Sequence, residues 1–126
     1  MVVMPDHLHT IWQLPDDDCD YAMRWNLIKR SFSRELPKSN ELIGISRQDK
    51  QERGIWQRRY WEHTLRDEDD FERHFNYIHF NPVKHGRAIR PRYWPYSSFC
   101  RWVRLGAYPL DWADDPGNEI IGLGER

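Results

Sequence analysis

The sequence predicts a mixed α and β domain, and three features carry that reading. Residues 7–14, His7-Leu8-His9-Thr10-Ile11-Trp12-Gln13-Leu14, are rich in β-branched and aromatic side chains and read as a strand. Residues 20–36 and 67–80 each open on acidic residues and then repeat apolar positions at helical spacing. Residues 55–65, Ile-Trp-Gln-Arg-Arg-Tyr-Trp-Glu-His-Thr-Leu, fit a second strand or strand pair. A chain of 126 residues, 39% hydrophobic and 14% aromatic, has the length of one domain with a single core.

In the first strand, alternation puts His7 and His9 on one face and Leu8, Thr10 and Trp12 on the other. Asp20 is placed as the N-cap of the first helix, whose apolar positions are Ala22, Trp25, Leu27, Ile28, Phe32 and Leu36. Arg24, Lys29, Arg30 and Arg34 make its other face basic. Pro37-Lys38-Ser39-Asn40 ends that helix, and residues 37–53 read as a loop with one short turn. Asp67-Glu68-Asp69-Asp70 opens the second helix, where acids suit the positive end of the helix dipole. That helix is expected to stop near Phe80, because Asn81 precedes Pro82. Phe71, Phe75 and Ile78 form its buried stripe, with His74, Tyr77 and Asn81 on an adjacent face. Gly86 closes the next turn, and residues 94–105 hold a short helix.

The net charge of −1 hides an uneven distribution. No Asp or Glu occurs between Arg73 and Leu110, a window holding Lys84, Arg87, Arg90, Arg92, Arg101 and Arg104 among aromatic residues. Such a surface suits contact with nucleic acid. Cys19 and Cys100 are far apart and form no CxxC pair, which excludes a zinc ribbon and points to a reducing, cytoplasmic setting. No stretch approaches the length of a membrane span, and no signal peptide is visible.

The chemistry converges on two places. His7 and His9 lie about 7 Å apart along a strand and can share an ion if a third ligand arrives from elsewhere, which suits an open metal site. Asn81, one turn beyond Tyr77, carries an amide oxygen that can ligate a divalent cation. If the second helix packs on the first strand, these three would gather an ion beside the Tyr77 hydroxyl. There the ion would polarise a phosphodiester and Tyr77 would attack phosphorus. Nitrogen and oxygen ligands with open positions fit Mn²⁺ or Mg²⁺, although imidazole alone would also accept zinc or nickel.

Four ordered blocks carry a resemblance. They are Pro5-Asp6-His7-Leu8-His9, Trp56-Gln57-Arg58-Arg59-Tyr60-Trp61-Glu62-His63, Tyr77-Ile78-His79-Phe80-Asn81-Pro82-Val83-Lys84-His85-Gly86, and Trp94-Pro95-Tyr96-Ser97-Ser98-Phe99. Together they resemble the REP-associated tyrosine transposases, within the single-tyrosine group of HUH endonucleases. The resemblance implies an α+β, ferredoxin-like antiparallel sheet with helices packed on one face. It also implies cleavage and strand transfer of single-stranded, hairpin-forming repeat DNA through a 5′-phosphotyrosine. By matching positions, His7 and His9 are the metal-binding pair, Tyr77 the nucleophile and Asn81 the third ligand of a Mg²⁺ or Mn²⁺ ion. Glu62 and His63 fall in a shared block without an assigned role. Arg24, Lys29, Arg30, Arg58, Arg59, Lys84, Arg87 and Arg92 are candidates for DNA phosphates.

Family members carry a strand and a helix ahead of the first block. The expected transposase domain, residues 1–112, is therefore N-terminally incomplete here, with residues 113–126 an acidic tail. The expected partner is hairpin DNA, with the protein a monomer or homodimer and no membrane involved. Two other functions compete: a hairpin-binding protein that does not cleave, and a metal-dependent phosphohydrolase. A histidine-triad hydrolase needs a third histidine where Ile11 stands, and two-histidine phosphoesterases need two separated His-x-Thr/Ser motifs. A structural zinc protein would need cysteines near the histidines.

Overall fold

A computed structural model describes residues 1–38, 45–48 and 53–114. In chain order its elements are β1 (Val2–Val3), β2 (Leu8–His9), α1 (Tyr21–Glu35), α2 (Ile45–Gln48), α3 (Glu68–Lys84), a 3₁₀ turn (Pro91–Tyr93) and α4 (Phe99–Arg104). The α+β class expected from the sequence is present, with an antiparallel sheet of two strands among the described residues. No helix is long and apolar enough to cross a membrane among those residues. The chain divides into two compact units, Met1–Trp12 with the chain from His63 onward, and Gln13–Glu62.

In the first unit, β1 and β2 pair as a hairpin, Val2 opposite His9 and Val3 opposite Leu8. Pro5 and Asp6 make its turn, where the fixed φ of proline is already suitable, and the Met4 N–H donates to the His7 carbonyl at 2.8 Å. The strand expected over residues 7–14 is thus shorter, and its partner is the Val2–Val3 segment just before it. The free edge of β1 is covered: the Val3 N–H donates to Tyr96 O at 2.8 Å, Trp94 Nε1 donates to Val3 O at 2.9 Å, and Val2 bridges Ser97. Because Tyr96 and Ser97 give their backbone to this edge, the helix expected over 94–105 is confined to α4.

The α3 helix begins as expected. The Asp67 carboxylate caps it by accepting from the Asp70 N–H at 2.8 Å, and Glu68, Asp69 and Asp70 fill the first turn. Its end is a correction: α3 runs past Phe80 to Lys84 with Pro82 inside. Proline in a helix interior costs about 3 kcal/mol, and tertiary burial offsets it here, since Asn81 and Pro82 are both fully buried. The Pro82 carbonyl then accepts from the Arg87 and Ala88 N–H groups, at 2.8 and 3.2 Å. The buried stripe is also rotated from expectation, for Phe71 is exposed while its neighbour Asp70 is buried. Val2, Met4, Tyr77 and Ile78 make one core cluster, with Ile11 and Trp94 packed on it. On the other side of α3, Phe75 stacks on Tyr108 at 5.1 Å, and Tyr108 meets Phe99 and Trp112.

His79 joins these layers and is completely buried. Its Nδ1–H donates to the Phe75 carbonyl at 2.8 Å and lies 3.2 Å from the Tyr108 hydroxyl, which itself donates to Asn76 Oδ1. That leaves Nε2 to accept from the Ser98 hydroxyl at 2.9 Å. Burial lowers the imidazole pKa from 6.5 to about 4, against the opposing effect of the hydrogen bond to the Phe75 carbonyl.

In the second unit, α1 is capped as expected, the Asp20 carboxylate accepting from the Met23 N–H at 3.0 Å. Its inner face differs from the apolar one expected. Leu27, Ile28, Phe32 and Leu36 are exposed, and no residue of α1 is fully buried. The half-buried positions are Tyr21, Arg24, Trp25, Lys29 and Ser33. The Lys29 ammonium lies among three rings, 5.9 Å from Trp25, 5.8 Å from Trp56 and 5.4 Å from Tyr60, and donates to Gln57 O at 3.2 Å. Trp56 Nε1 donates to Ser33 Oγ at 3.2 Å. The Arg53 guanidinium caps the helix end through the Ser33, Leu36 and Pro37 carbonyls. These contacts explain why residues 55–65 are not a strand: α1 side chains hold the segment in place of a ladder. The one-turn α2 matches the short turn expected within residues 37–53, whose other parts at 39–44 and 49–52 lie outside the described residues.

Two predictions follow from these networks. The unfolded chain protonates His79 near pH 6.5 and the folded one only near 4, so stability is whole above about 6.5 and declines as pH falls toward 4. The variant His79→Gln should lose that slope in urea melts taken across pH, while being less stable at neutral pH by about 1–3 kcal/mol. In the other unit, Lys29→Ala should lower the unfolding free energy by about 1–2 kcal/mol in denaturant titration, the scale of a partly desolvated cation–π contact.

Candidate metal and tyrosine site

The β1–β2 hairpin and the C-terminal half of α3 bring the sequence-predicted residues together. Val2 and Met4 pack against Tyr77 and Ile78, so the outgoing β2 carries its histidines over the face of α3 that bears Tyr77 and Asn81. The His7 and His9 rings meet edge to face, with centroids 5.0 Å apart. The His9 ring lies 5.6 Å from that of Tyr77, and His7 Nε2 is 3.2 Å from Asn81 Oδ1.

The donor set fits a divalent cation. His7 Nδ1 lies 2.7 Å from Asp6 Oδ1, which orients the ring so that Nε2 faces Asn81. A carboxylate behind a ligating imidazole is a common outer partner in metal centres. The hydrogen bond to His7 holds the Asp6 carboxyl below its ordinary pKa, so this partner is ionised at neutral pH. His7 Nε2 and Asn81 Oδ1, 3.2 Å apart, put two potential ligand atoms side by side. Two ligands of one ion stand about 3 Å apart, given bond lengths near 2.1 Å. His7, His9 and Asn81 would hold such an ion.

The end of α3 adds Lys84, expected as a phosphate contact, and His85, for which no role was expected. Lys84 Nζ donates to the Tyr77 hydroxyl at 3.3 Å and sits 4.7 Å from the centre of its ring. His85 follows as the C-cap, its N–H bonded to Asn81 O at 3.0 Å, and its ring lies 5.4 Å from that of His7. Gly86 then turns the chain at φ 63°, a left-handed conformation where a Cβ would be strained. The signal for His85 was its place directly after Lys84 in the third sequence block. Asp6 was visible as the residue before His7. Both tyrosine and amide are deeply set, with Tyr77 8% and Asn81 0% exposed.

The basic candidates differ in their surroundings. In the second unit Arg24 pairs with Asp18, Lys29 lies in its aromatic cage, and Arg30, Arg58 and Arg59 are exposed. In the first unit Arg87 is exposed, Lys84 reaches Tyr77, and Arg92 is 3.4 Å from Asp114 and donates to Leu110 O. The residues without a role also find places. Glu62 accepts from the Tyr21 hydroxyl and holds that phenol above its ordinary pKa. His63 Nε2 lies 2.7 Å from Asp70 Oδ2.

Comparison with known proteins bears on this geometry. No family model matches the chain. A Haemophilus influenzae protein described as a REP-associated tyrosine transposase is 47% identical over 120 residues, covering 95% of this chain and 68% of its own. The REP-associated tyrosine transposase of Escherichia coli is 42% identical over 125 residues, covering 99% of this chain and 66% of its own. A solved structure of a REP-associated tyrosine transposase bound to a REP hairpin matches with a TM-score of 0.72 and 38% identity, over 99% of this chain and 66% of that one. The chain thus spans about two thirds of the length of these relatives. On the strength of that identity and coverage, it belongs to the family of REP-associated tyrosine transposases.

Proposed function

We propose that this chain, over residues 1–112, carries the catalytic centre of a metal-dependent single-stranded DNA endonuclease and strand transferase. Its substrate is hairpin-forming repeat DNA of the kind bound in the related structure. One observation carries the reading: His7 Nε2 and Asn81 Oδ1, 3.2 Å apart, beside the His9–Tyr77 ring contact. The names of the two transposase relatives support the same reaction class. Exposed thiols at Cys19 and Cys100 fit a reducing cytoplasm, where chromosomal DNA is reached.

A bound Mg²⁺ or Mn²⁺ would polarise the scissile phosphodiester and neutralise its non-bridging oxygens. The remaining chemistry belongs to side chains. The Tyr77 oxygen forms a bond to phosphorus as the bond to the 3′-oxygen breaks. The phenol proton leaves to water, and the departing 3′-oxygen takes one up as a hydroxyl. The 5′-phosphate stays on Tyr77, and attack by a 3′-hydroxyl reverses the step to join strands. The Lys84 ammonium at 3.3 Å donates to the tyrosine oxygen and favours its anionic form during attack. Arg30, Arg58, Arg59 and Arg87 are the exposed members of the phosphate-contacting set, and Arg24, Lys29 and Arg92 would contribute mainly through long-range charge. Binding of this kind weakens steeply as salt rises.

Labelled hairpin DNA with Mn²⁺, followed on a denaturing gel, tests the proposal. Wild-type protein should give a covalent protein–DNA band, and Tyr77→Phe none. Hairpin binding without any adduct in the wild type would overturn cleavage and leave a binding protein. A second experiment separates the role of Lys84: Lys84→Gln should slow single-turnover cleavage about tenfold or more and change hairpin affinity less than threefold. Equal losses in rate and affinity would make Lys84 a phosphate contact only.

A further inference from the structure

We propose that His63, Asp70 and His74 form a second metal site, for a transition-metal dication such as Zn²⁺, at the start of α3. One ligand atom from each lies within 4.8 Å of the others. His63 Nε2 is 2.7 Å from Asp70 Oδ2, and His74 Nδ1 is 3.2 Å from Asp70 Oδ1. Each oxygen of one buried carboxylate therefore faces an imidazole nitrogen. The two imidazoles are stacked, with centroids 4.4 Å apart and planes within 13°, so both present their nitrogens to the same carboxylate edge.

The donor chemistry is two imidazoles and one carboxylate with a fourth position open, a set that selects Zn²⁺ and its neighbours over Mg²⁺. Ligand atoms in a tetrahedral zinc site stand about 3.3 Å apart, from bond lengths of 2.0–2.1 Å. The imidazole nitrogens stand 2.7 Å from Oδ2 and 3.2 Å from Oδ1, and a set of three ligand atoms lies within 4.8 Å, so side-chain rotation alone would bring them to that spacing. Without an ion, the carboxylate is held by protons on the two imidazoles. The ion replaces both, and His74 Nδ1 gives up its 2.8 Å bond to the Asp70 main-chain carbonyl. The Arg66 N–H, 3.0 Å from Asp70 Oδ2, can stay. The Arg66 and Arg73 guanidinium groups, 3.7 and 3.8 Å from the carboxylate, are on exposed side chains that can swing aside. Their charge weakens the site relative to a four-ligand structural zinc centre.

This site is separate from the one that holds Tyr77. Asp70 precedes Asn81 by eleven residues of one helix, about 16 Å along its axis, so no single ion serves both. An ion here would staple the segment before α3 onto the helix that carries the nucleophile. It also gives His63 a chemical part.

Equilibrium dialysis with Zn²⁺, read by elemental analysis, and titration with Co²⁺, read by its visible d–d band, test the site on the whole chain. The variant His7→Ala/His9→Ala isolates it: that protein should still hold one ion and show a four-coordinate Co²⁺ spectrum. Adding His74→Gln to that background should abolish both signals with an unchanged circular dichroism spectrum; His63→Gln serves if the first substitution prevents folding. A folded His7→Ala/His9→Ala protein that takes up neither metal would overturn the proposal and leave a hydrogen-bonded clamp. Retention of the ion after either added substitution would overturn it equally. Loss of adduct formation in the double variant bears on the Tyr77 site alone, so the two proposals fail independently.

Discussion

The packing of a two-residue-deep hairpin against the buried half of α3 is the constraint on which the site depends. A ribbon of two short strands is at best marginal by itself in water. Here Val2 is fully buried, and Met4 and Ile78 nearly so, within one cluster that includes Tyr77. Burial of such a side chain contributes about 1.5–3 kcal/mol, enough for a few residues to hold the hairpin in register. Register matters because a slip of one residue would turn both histidines away from Tyr77 and Asn81. The hydrogen bonds from Val3 N–H to the Tyr96 carbonyl and from Trp94 Nε1 to the Val3 carbonyl fix the other edge of the same strand. The position of His7 and His9 is thus set by residues several places away on both sides.

The polar groups inside α3 form a second layer of constraint. Asp70, His79 and Asn81 are buried, and buried polar atoms must be paired. Asp70 ties the helix start to His63, His79 ties its middle to Ser98 and Tyr108, and Asn81 faces His7 near its end. Each pairing joins α3 to a different part of the first unit. Pro82 is tolerated for the same reason: neighbours on every side over Tyr77 to Pro82 replace what one missing N–H removes.

Much of the site could be read in the sequence because its signals are local. His7 and His9 share a face through strand alternation, and Tyr77 and Asn81 share one through the four-residue helical step. Capping by Asp20 and Asp67 was equally local and is present. What sequence reasoning missed depends on distant partners. The segment 55–65 looks like a strand by composition, yet its aromatic rings surround Lys29 and its backbone has no neighbouring strand among the described residues. Periodicity pointed to Leu27, Ile28 and Phe32 as the inner face of α1, whereas the cation–aromatic contacts of Lys29 turned a different stripe inward. Phe71 and Asp70 exchanged places because a paired carboxylate can be buried beside an exposed ring, and the pair to Asp70 comes from outside the helix. Lys84 read as a phosphate contact because nothing in the sequence shows that it folds back about two turns onto Tyr77.

The placement of Tyr77 also separates the packed parts of the site from its exposed ones. A nucleophile gains rate when its reactive atom is held near the attack geometry before substrate arrives. The Tyr77 ring is wedged among Val2, Met4 and Ile78 and touched edge-on by His9, so its hydroxyl is fixed by packing on a helix. Asn81 is equally fixed, and Asp6 orients His7. Lys84 is different. Its stem is exposed, and it reaches the tyrosine oxygen from the last turn of α3. His85 is exposed as well, just ahead of the Gly86 turn. An incoming phosphate would therefore displace or share Lys84 without disturbing the ring behind it. In the proposed reaction, chemistry would rest on the packed face of the helix, and adjustment to the substrate on its exposed end.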